Sequence, residues 1–371
     1  MRIGLIAPPW VAVPPVHYGG TEAVVDRLAR GFQKVGHEVF LWATGDSTCP
    51  VARGYTYRSA QPGRIGMATV EARHVIAGYE AIAAWGPDVI HDHTVIGPLY
   101  SRRFVGLPVA TTNHGPFHDE ATALYRAVTP GVAVIAISQD QASHARGFPI
   151  SAVIHHGLDI CDIPIGDGVG DERGEYFMFL GRMAPEKGLS SAVQLARRKG
   201  VRLLIAAKMR EPLETEYFAE NVEPFLNHDI EYVGEVDNLE KMALLRGAKA
   251  LVNPICWPEP FGLVMVEALA CGTPVVSLNN GSASEIIRDG ITGIVCRDME
   301  EMAERLSEVE QIERNACRID AESRFTTERM VEQHVELFTE LIARSTAITR
   351  SNAHPNGGVS NVQRSQNAVA S

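Results

Sequence analysis

Short apolar strands alternate with amphipathic helices along most of this chain, and the alternation occurs in two blocks. The first block begins with a buried strand over residues 2–7 and ends near a strand over 152–155. The second begins at residues 176–180 and leads to an amphipathic helix over about 327–344. Alternating strands and helices predict parallel sheets with helices on both faces. We therefore expect an α/β chain of two doubly wound, Rossmann-like domains, which 371 residues can accommodate.

The two blocks are separated by residues 160–174, which are rich in Gly, Asp and Pro and have no periodicity. Such a composition is typical of an interdomain linker. We therefore divide the chain into an N-terminal domain over 1–159 and a C-terminal domain over 175–326, followed by the helix over 327–344. Residues 345–371 are rich in Ser, Asn, Gln and Gly, which predicts a disordered tail.

The most informative stretch is residues 257–267, Trp-Pro-Glu-Pro-Phe-Gly-Leu-Val-Met-Val-Glu. A buried strand precedes it and a helix begins inside it, so Glu259 is predicted on a loop at the carboxyl end of a strand. Gly262 lies where the helix starts, and a helix start offers free N–H groups and a partial positive charge that attract phosphate. Glu259 and Glu267 flank this anion site with groups that bind hydroxyls. The combination indicates a nucleotide sugar as ligand.

A second candidate phosphate site opens the C-terminal block. The sequence Gly181-Arg182-x4-Lys187-Gly188 follows a strand and begins a helix. Arginine can bind phosphate oxygens with two parallel hydrogen bonds, and lysine adds a point charge. Both residues lie where open α/β sheets bind ligands, outside the carboxyl ends of the strands.

The N-terminal block offers a glycine-rich loop and a loop histidine. Gly19 and Gly20 follow the first strand, in a sequence that lacks the G-x-G-x-x-G dinucleotide fingerprint, so NAD is not predicted. Glycines there would let a ligand approach the backbone and the next helix start. His114 follows a later strand of the same block and is a candidate for binding or positioning the ligand.

The spacing Glu-x7-Glu around Pro-Phe-Gly, together with Gly-Arg…Glu-Lys-Gly, resembles the donor site of the family 4 glycosyltransferases, which have the GT-B fold. The resemblance implies that Arg182 and Lys187 neutralise the leaving nucleoside diphosphate and that Glu259 binds hydroxyls of the donor sugar. It further implies that the amides of Gly262, Leu263 and Val264 bind the distal phosphate. Glu267 would bind the ribose hydroxyls.

The resemblance also extends to the first block and to the reaction. In that family the loop with Gly19 and Gly20 lies at the cleft near the donor phosphates and the acceptor, and His114 would face the donor sugar. The helix over 327–344 would return towards the N-terminal domain. The implied enzyme is a retaining hexosyltransferase that moves a sugar from a UDP-sugar, or secondly from GDP-mannose, to a hydroxyl of a small molecule or glycan.

The sequence departs from the family pattern in two places. The family commonly has Gly-x-Gly after the second strand of its C-terminal domain, where this chain has Ala206-Ala207-Lys208, so Lys208 becomes a candidate donor contact. The first domain commonly ends Asn-Gly-x-Asp, where this chain has His156-Gly157-Leu158-Asp159. No Asp-x-Asp pair, which other glycosyltransferases use to hold a metal on the diphosphate, occurs in the chain. We expect neither a metal nor a cofactor.

Three other functions remain open from the residues alone. His91 and His93, with His114 and His118, could form the metal cluster of a hydrolase, although Pro116 argues against a helix that presents the last two rings together. A sugar phosphorylase could use a similar fold with phosphate in place of the nucleotide. A non-catalytic protein that binds sugar nucleotides would need the same donor site.

Composition narrows the partners and the compartment. A formal net charge of −11 argues against nucleic acid as a partner. No apolar run approaches the ~18 residues of a membrane span, so no integral membrane segment is expected. The N-terminal residues are predicted to form a β-strand rather than a signal peptide. The six cysteines form no C-x-x-C pair, which is typical of reduced thiols in a cytoplasmic protein.

Overall fold

The computed structural model describes residues 1–353, which form two parallel α/β domains and a long final helix. The strands of the N-terminal domain are β1 Arg2–Ile6, β2 Glu38–Ala43, β3 Ala52–Tyr55, β4 Val89–Asp92, β5 Val109–Thr112, β6 Ala133–Ala136 and β7 Ala152–Val153. Its helices are α1 Gly20–Lys34, α2 Ala68–Trp85, α3 Gly97–Ser101, α4 Asp119–Val128 and α5 Gln139–Ser143. The seven strands form one sheet in the order β3-β2-β1-β4-β5-β6-β7, and every pairing is parallel.

The C-terminal domain repeats the plan with six strands. They are β8 Phe177–Arg182, β9 Leu203–Lys208, β10 Ile230–Gly234, β11 Leu251–Asn253, β12 Val275–Leu278 and β13 Gly293–Cys296, paired in parallel in the order β10-β9-β8-β11-β12-β13. The helices are α6 Leu189–Lys199, α7 Pro212–Asn221, α8 Asn238–Gly247, α9 Leu263–Ala270, α10 Ala283–Ile286, α11 Met299–Arg305, α12 Arg314–Arg324 and α13 Thr327–Ala353.

Burial on both faces explains why the central strands are almost continuously apolar. Every residue of β4, β5, β6 and β12 is buried. In the N-terminal domain, Leu5 and Ile6 of β1 point into two different hydrophobic clusters, one on each face of the sheet. Helices α1 and α13 cover the first face with Phe32 and Phe338, whereas α2 covers the second with Tyr79. This two-sided covering is what the alternation of strands and helices predicts.

The order of the strands in each sheet determines where a ligand site is expected. In each sheet the chain first builds outward in one direction and then continues on the other side of the starting strand, at β1/β4 and at β8/β11. Ligands of open α/β sheets bind outside the carboxyl ends of the strands at such switch points. The predicted site residues lie at the carboxyl ends of β1 and β5 in one domain and of β8, β9 and β11 in the other, on or beside these switch points.

The chain crosses between the domains twice, and the two crossings lie side by side. Leu158 N–H donates to the Phe325 carbonyl oxygen over 2.8 Å, and Thr327 N–H donates to the Leu158 carbonyl oxygen over 3.0 Å. Helix α13 then packs on α1 so closely that a Cβ at Gly31 would overlap Val331. The final helix therefore belongs to the N-terminal domain.

The structure differs from the sequence predictions at several boundaries. Strands β3 and β13 and helix α7 were not predicted. Helix α13 continues nine residues past the predicted end at Arg344, to Ala353, and the remainder of the predicted tail, 354–371, lies outside the described residues. The segment predicted as a flexible linker is fixed to the C-terminal domain, because Arg318 Nη2 donates to the Ile160 carbonyl over 2.9 Å and Arg314 Nε to the Gly166 carbonyl over 2.8 Å.

Candidate functional site

A cleft of about 1650 Å³ lies between the carboxyl edges of the two sheets. The predicted site residues, which come from seven separate loops and element ends, all line it: Gly19, Gly20, His114, Arg182, Lys187, Lys208, Glu259, Gly262, Leu263, Val264 and Glu267. Local sequence placed each of them at a strand or helix end. The fold then brings those ends together in a single cleft.

The start of α9 is shaped by Gly262. Its φ of 76° lies in the left-handed region that favours glycine, and a Cβ would crowd Met265 and Glu259. The residue therefore turns the chain abruptly into the helix, and Leu263 and Val264 present the first backbone N–H groups of α9 on the cleft side. These groups have no intrahelical acceptor, so the site favours an anion.

Lys187 and Glu259 meet although they are far apart in sequence. Gly188 follows Lys187 with a φ of 75°, and a Cβ there would overlap the Pro254 carbonyl oxygen, so this turn sits directly against the end of β11. Lys187 Nζ forms an ion pair with Glu259 Oε2, and Trp257 Nε1–H donates to the same oxygen over 3.0 Å. Lys187 Nζ also lies 5.0 Å from the centre of the Trp257 ring. A cation and a hydroxyl-binding carboxylate are thus held together.

Arg182 and Tyr18 border the same part of the cleft from opposite domains. Arg182 is paired with Glu186 on the turn after β8. Tyr18 is 43% exposed as a whole residue, but desolvation of its hydroxyl in the cleft raises the pKa of that group, an effect to which the negative charge of Glu259 adds and which Arg182 opposes. The Tyr18 backbone N–H donates to Glu235 Oε1 over 3.2 Å, which ties the glycine-rich loop to the C-terminal domain.

Glu267 lies deeper, near the crossing between the domains. Lys241 Nζ of α8 pairs with its Oε1 over 2.5 Å. Arg27 of α1 lines the cleft from the opposite domain, and burial lowers its pKa even though Glu267 and Asp159 exert the opposite effect. Arg27 Nη1 is buried and has no hydrogen-bond partner within residues 1–353. This end of the cleft therefore combines a carboxylate with an incompletely paired guanidinium.

Lys208 is a cleft residue whose charge is already compensated. Its Nζ forms ion pairs with Glu211 and, over 3.2 Å, with Glu214. Glu211 and Glu214 also form the capping box of α7. Lys208 therefore joins the end of β9 to the start of α7, and any contact with a ligand would have to compete with those two carboxylates.

The histidines form a buried chain that reaches the cleft at one end. His93 Nδ1 lies 2.9 Å from His114 Nε2, the rings of His91 and His93 are 4.0 Å apart, and the ring of His114 is 5.1 Å from that of His156. Burial lowers the pKa of His114 to about 3, so the ring is neutral near pH 7 and is a weak base.

His118 lies apart from this chain, so the predicted grouping of His118 with His114 in a metal cluster is wrong. It is the N-cap of α4, where its Nδ1 accepts from the Ala121 N–H over 3.3 Å and faces Glu120. No group of three or more potential metal-binding side chains is found in the described part of the chain. A hydrolase of the metal-cluster type is therefore not favoured.

Three cleft residues, Glu22, Arg27 and Trp10, were not singled out from the sequence. Glu22 and Arg27 lie on α1, an amphipathic helix whose charged residues look solvent-exposed when it is considered alone. A signal was available for Glu22, since it lies two residues after the paired glycines, in the first turn of that helix.

Comparison with known proteins agrees with this geometry. Two protein-family models match the chain, "Glycosyltransferase Family 4" over residues 18–161 and "Glycosyl transferases group 1" over residues 168–324. The chain is 26% identical over 347 residues to the glycogen synthase of Mycobacterium tuberculosis, covering 80% of this chain and 82% of that protein. It is 26% identical over 320 residues to the phosphatidyl-myo-inositol mannosyltransferase of Mycolicibacterium smegmatis, covering 79% and 80%.

A solved structure extends the comparison to three dimensions. HepE from Anabaena, in complex with UDP-glucose, superposes with a TM-score of 0.68 over 94% of this chain and 100% of that chain, at 18% sequence identity. At that identity the likeness concerns the fold. No helix in residues 1–353 is long and apolar enough to cross a membrane.

Proposed function

This chain belongs to the family 4, group 1 glycosyltransferases and has their GT-B fold, and we propose that it moves a hexose from a nucleoside-diphosphate sugar to an acceptor hydroxyl without a metal and with retention of configuration. The family and the enzyme class agree with the resemblance of its motifs. The donor, the mechanism and the residue roles are the content of the proposal.

The observation that carries the proposal is the joint position of Lys187, Glu259 and the start of α9 on one wall of the cleft. A nucleoside-diphosphate sugar presents two phosphates and a ring of hydroxyls. Lys187 and the free amides at Leu263 and Val264 match the phosphates, and Glu259 matches the hydroxyls. A nucleoside-diphosphate sugar needs both kinds of group side by side, and here the turn after β8 and the β11–α9 junction together supply them on one wall.

The remaining groups fit roles along the same ligand. Arg182 would share the charge that grows on the leaving diphosphate, which lowers the barrier because the charge appears only as the bond breaks. Glu267 would accept hydrogen bonds from the ribose hydroxyls. His114, neutral and hydrogen-bonded to His93, would bind a hydroxyl of the transferred sugar rather than remove a proton.

For the donor nucleotide we propose a UDP-sugar first and GDP-mannose second. The fold is shared with a protein solved in complex with UDP-glucose, which supports the first choice. The second has its support in the similarity to a mannosyltransferase. Lys208 stands where the family commonly has glycine and is paired with Glu211 and Glu214, so a contact between Lys208 and the nucleotide is where the two donors would be distinguished.

A panel of nucleotide sugars tests the proposal. UDP-, GDP- and ADP-sugars are compared by thermal shift, because a ligand that binds only the native state raises the midpoint of unfolding. A transfer assay with the stabilising donor follows. The expected result is stabilisation by one nucleotide class and release of the nucleoside diphosphate.

The other outcomes of the same panel identify the alternatives. Binding of a donor without transfer to any acceptor would indicate a non-catalytic sugar-nucleotide-binding protein. Cleavage of a glycoside that depends on inorganic phosphate would indicate a phosphorylase. Lack of binding by every donor, in a protein that still unfolds cooperatively, would overturn the proposed donor site.

A further inference from the structure

Near the mouth of the cleft, the wall formed by the N-terminal domain is apolar, whereas the wall formed by the C-terminal domain carries Arg182 and Lys187. Trp10, Val11, Pro15 and Ile65 give the N-terminal wall its apolar surface. The loop is fixed in shape, since a Cβ at Gly19 would lie 3.2 Å from Val11 and would crowd Pro15. The wall therefore offers a preformed apolar surface beside the predicted donor site.

Glu22 is the carboxylate of this wall. It lies in the first turn of α1, lines the cleft and is only 5% exposed, yet it takes part in no ion pair among the described residues. Its carboxylate lies near its own backbone N–H, and burial raises its pKa to about 7. By contrast, Asp26 one turn later is paired with Arg30 over 2.8 Å. A buried carboxylate gains much from a hydroxyl donor that enters the cleft.

The start of α1 places Glu22 opposite the predicted donor site. A Cβ at Gly20, two residues before Glu22, would lie 3.5 Å from Leu263 Cδ1 at the start of α9, and Glu22 and Glu259 line the same cleft. Glu22 therefore faces the predicted donor site from the N-terminal wall, where an attacking molecule would bind.

Trp10 is the second residue of this wall that can contact an acceptor. The indole is half-buried in the cleft wall, and no aromatic ring or cation stacks on it within residues 1–353. A free indole face packs well against the apolar C–H face of a sugar ring. Two positively charged side chains line the cleft from the N-terminal domain, Arg27 and Arg30 of α1, and Arg30 is already paired with Asp26 and Asp159. The others belong to the C-terminal domain: Arg182, Lys187, Lys208, Arg210, Lys241 and Arg246. The wall with Trp10 is thus suited to an uncharged ring rather than to a phosphate.

We propose that Trp10 and Glu22 form the acceptor subsite and that the acceptor is an uncharged sugar, stacked on the Trp10 indole with a hydroxyl hydrogen-bonded to Glu22. This inference rests on the proposed transfer reaction. It assigns the acceptor class, which neither the motifs nor the relatives define.

The experiment measures nucleoside diphosphate release by the full-length protein from the donor that the thermal-shift panel selects. Neutral hexoses and their methyl glycosides are compared with the corresponding hexose 6-phosphates. The neutral sugars are expected to stimulate release and the phosphates are not. Glu22→Gln and Trp10→Ala should each raise the acceptor KM by about tenfold or more, the effect of one lost hydrogen bond or stacking contact, with Trp10→Phe restoring most of it.

Two further readouts keep the outcome unambiguous. Affinity for the nucleoside diphosphate and cooperative thermal unfolding should remain unchanged in both variants, which would show that they fold. Preference for the 6-phosphates, or an unchanged acceptor KM in Glu22→Gln and Trp10→Ala, would overturn the assignment while leaving donor binding intact. Absence of donor binding in the unaltered protein would instead remove the proposed function, and the acceptor subsite with it.

Discussion

Lys187 and Glu259 form an ion pair that joins the turn after β8 to the stretch between β11 and α9, with their side chains only 15% and 14% exposed. Each charge is therefore compensated by the other. In the proposed donor complex, a diphosphate would compete for Lys187, and Glu259 would then accept a hydrogen bond from a sugar hydroxyl. The pair would thus couple the two halves of the proposed donor site.

Replacing either member should reduce transfer strongly. Lys187→Ala and Glu259→Ala are each expected to lower turnover by more than about tenfold, since each removes one group that stabilises the bound donor or the leaving charge. Because they act as a pair, the double variant should lose less than the product of the single losses. Rates are measured at saturating donor, together with thermal midpoints.

Lys249→Ala is the matched control for this prediction. Its Nζ is paired with Glu175 and Glu310, each over 2.8 Å, outside the cleft. It should leave turnover unchanged. Wild-type turnover in the Lys187 and Glu259 variants, at unaltered thermal stability, would remove the donor-site assignment.

The buried histidine chain predicts loss of stability in acid. His334 extends this chain, with its ring 4.9 Å from that of His91. Burial lowers the pKa of all five rings of the chain, to about 3 for His114 and about 4 for His334, the others being His91, His93 and His156. In the unfolded chain these rings titrate near ~6.5, so below that pH the unfolded state binds more protons than the folded state. The free energy of unfolding should therefore be fully retained above ~6.5 and fall as the pH is lowered towards 4.

Chemical denaturation at several pH values tests whether the free energy of unfolding falls as the pH is lowered. His334→Gln should flatten the acid limb of the stability curve, since one lowered pKa is removed, whereas His228→Gln should not, because His228 is 79% exposed. Identical acid limbs in the wild type and His334→Gln would show that this ring does not contribute.

Sequence patterns predicted most of the fold, and they placed Arg182 and Glu259 at the cleft, because those features are local. Gly-Arg at the end of a strand and Pro-Phe-Gly before a helix each determine the adjoining loop, so both residues could be placed without knowing their neighbours. Strand β3 was missed because it is an edge strand without a buried residue. Helix α7 was missed because Glu214 is its only buried residue, so it has no apolar periodicity.

The acceptor side could not be read from local patterns. Trp10 lies in a proline-rich loop, and Glu22 looks like an acidic residue in the first turn of an ordinary helix. Both residues line a cleft that exists only where the N-terminal domain faces the C-terminal domain, and the hydrogen bond from the Tyr18 N–H to Glu235 joins the two domains there. Domain docking is a tertiary event that no short pattern specifies.

We expect the two domains to close on the donor. The linker over 160–174 is held by the C-terminal domain, so the hinge is better placed at the paired crossings near Leu158 and Thr327. Glu285 connects the domains, since it accepts from the Gln139 N–H over 2.8 Å and pairs with His155 over 2.5 Å. Small-angle scattering should show a smaller radius of gyration with nucleoside diphosphate than without it.

The Glu285→Ala variant provides a second test of domain closure. Loss of this contact should increase the radius of gyration of the ligand-free protein, while saturating nucleoside diphosphate should still compact it. Scattering curves that coincide with and without ligand, in both proteins, would speak against closure.

Transfer should survive a chelator. Arg182, Lys187 and the start of α9 provide the positive charge that a metal supplies elsewhere. We expect unchanged turnover after treatment with EDTA and dialysis. A loss that Mg²⁺, Mn²⁺ or Zn²⁺ restores would contradict this expectation and would require a metal on the diphosphate.

The last prediction is retention of the anomeric configuration. Inversion needs a base on the face opposite the leaving group, ready to take the acceptor's proton. His114 is a poor base near neutral pH, because burial lowers its pKa to about 3. Retention in two steps needs a carboxylate nucleophile at the anomeric carbon. Glu259 is engaged by Lys187 and by the Trp257 N–H, which suits binding of hydroxyls instead.

The route that we expect is attack by the acceptor on the same face as the departing diphosphate, through an oxocarbenium-like state. A phosphate oxygen then takes the acceptor's proton, while Arg182 and Lys187 stabilise the charge of the leaving group. Glu22, whose pKa is about 7, is the competing base. Proton NMR of the first-formed product, read from its anomeric coupling constant, separates the two routes. An α-linked donor should give an α-glycoside, and Glu22→Gln should raise the acceptor KM rather than abolish turnover. A β-glycoside together with an inactive Glu22→Gln variant would establish Glu22 as the base of an inverting enzyme.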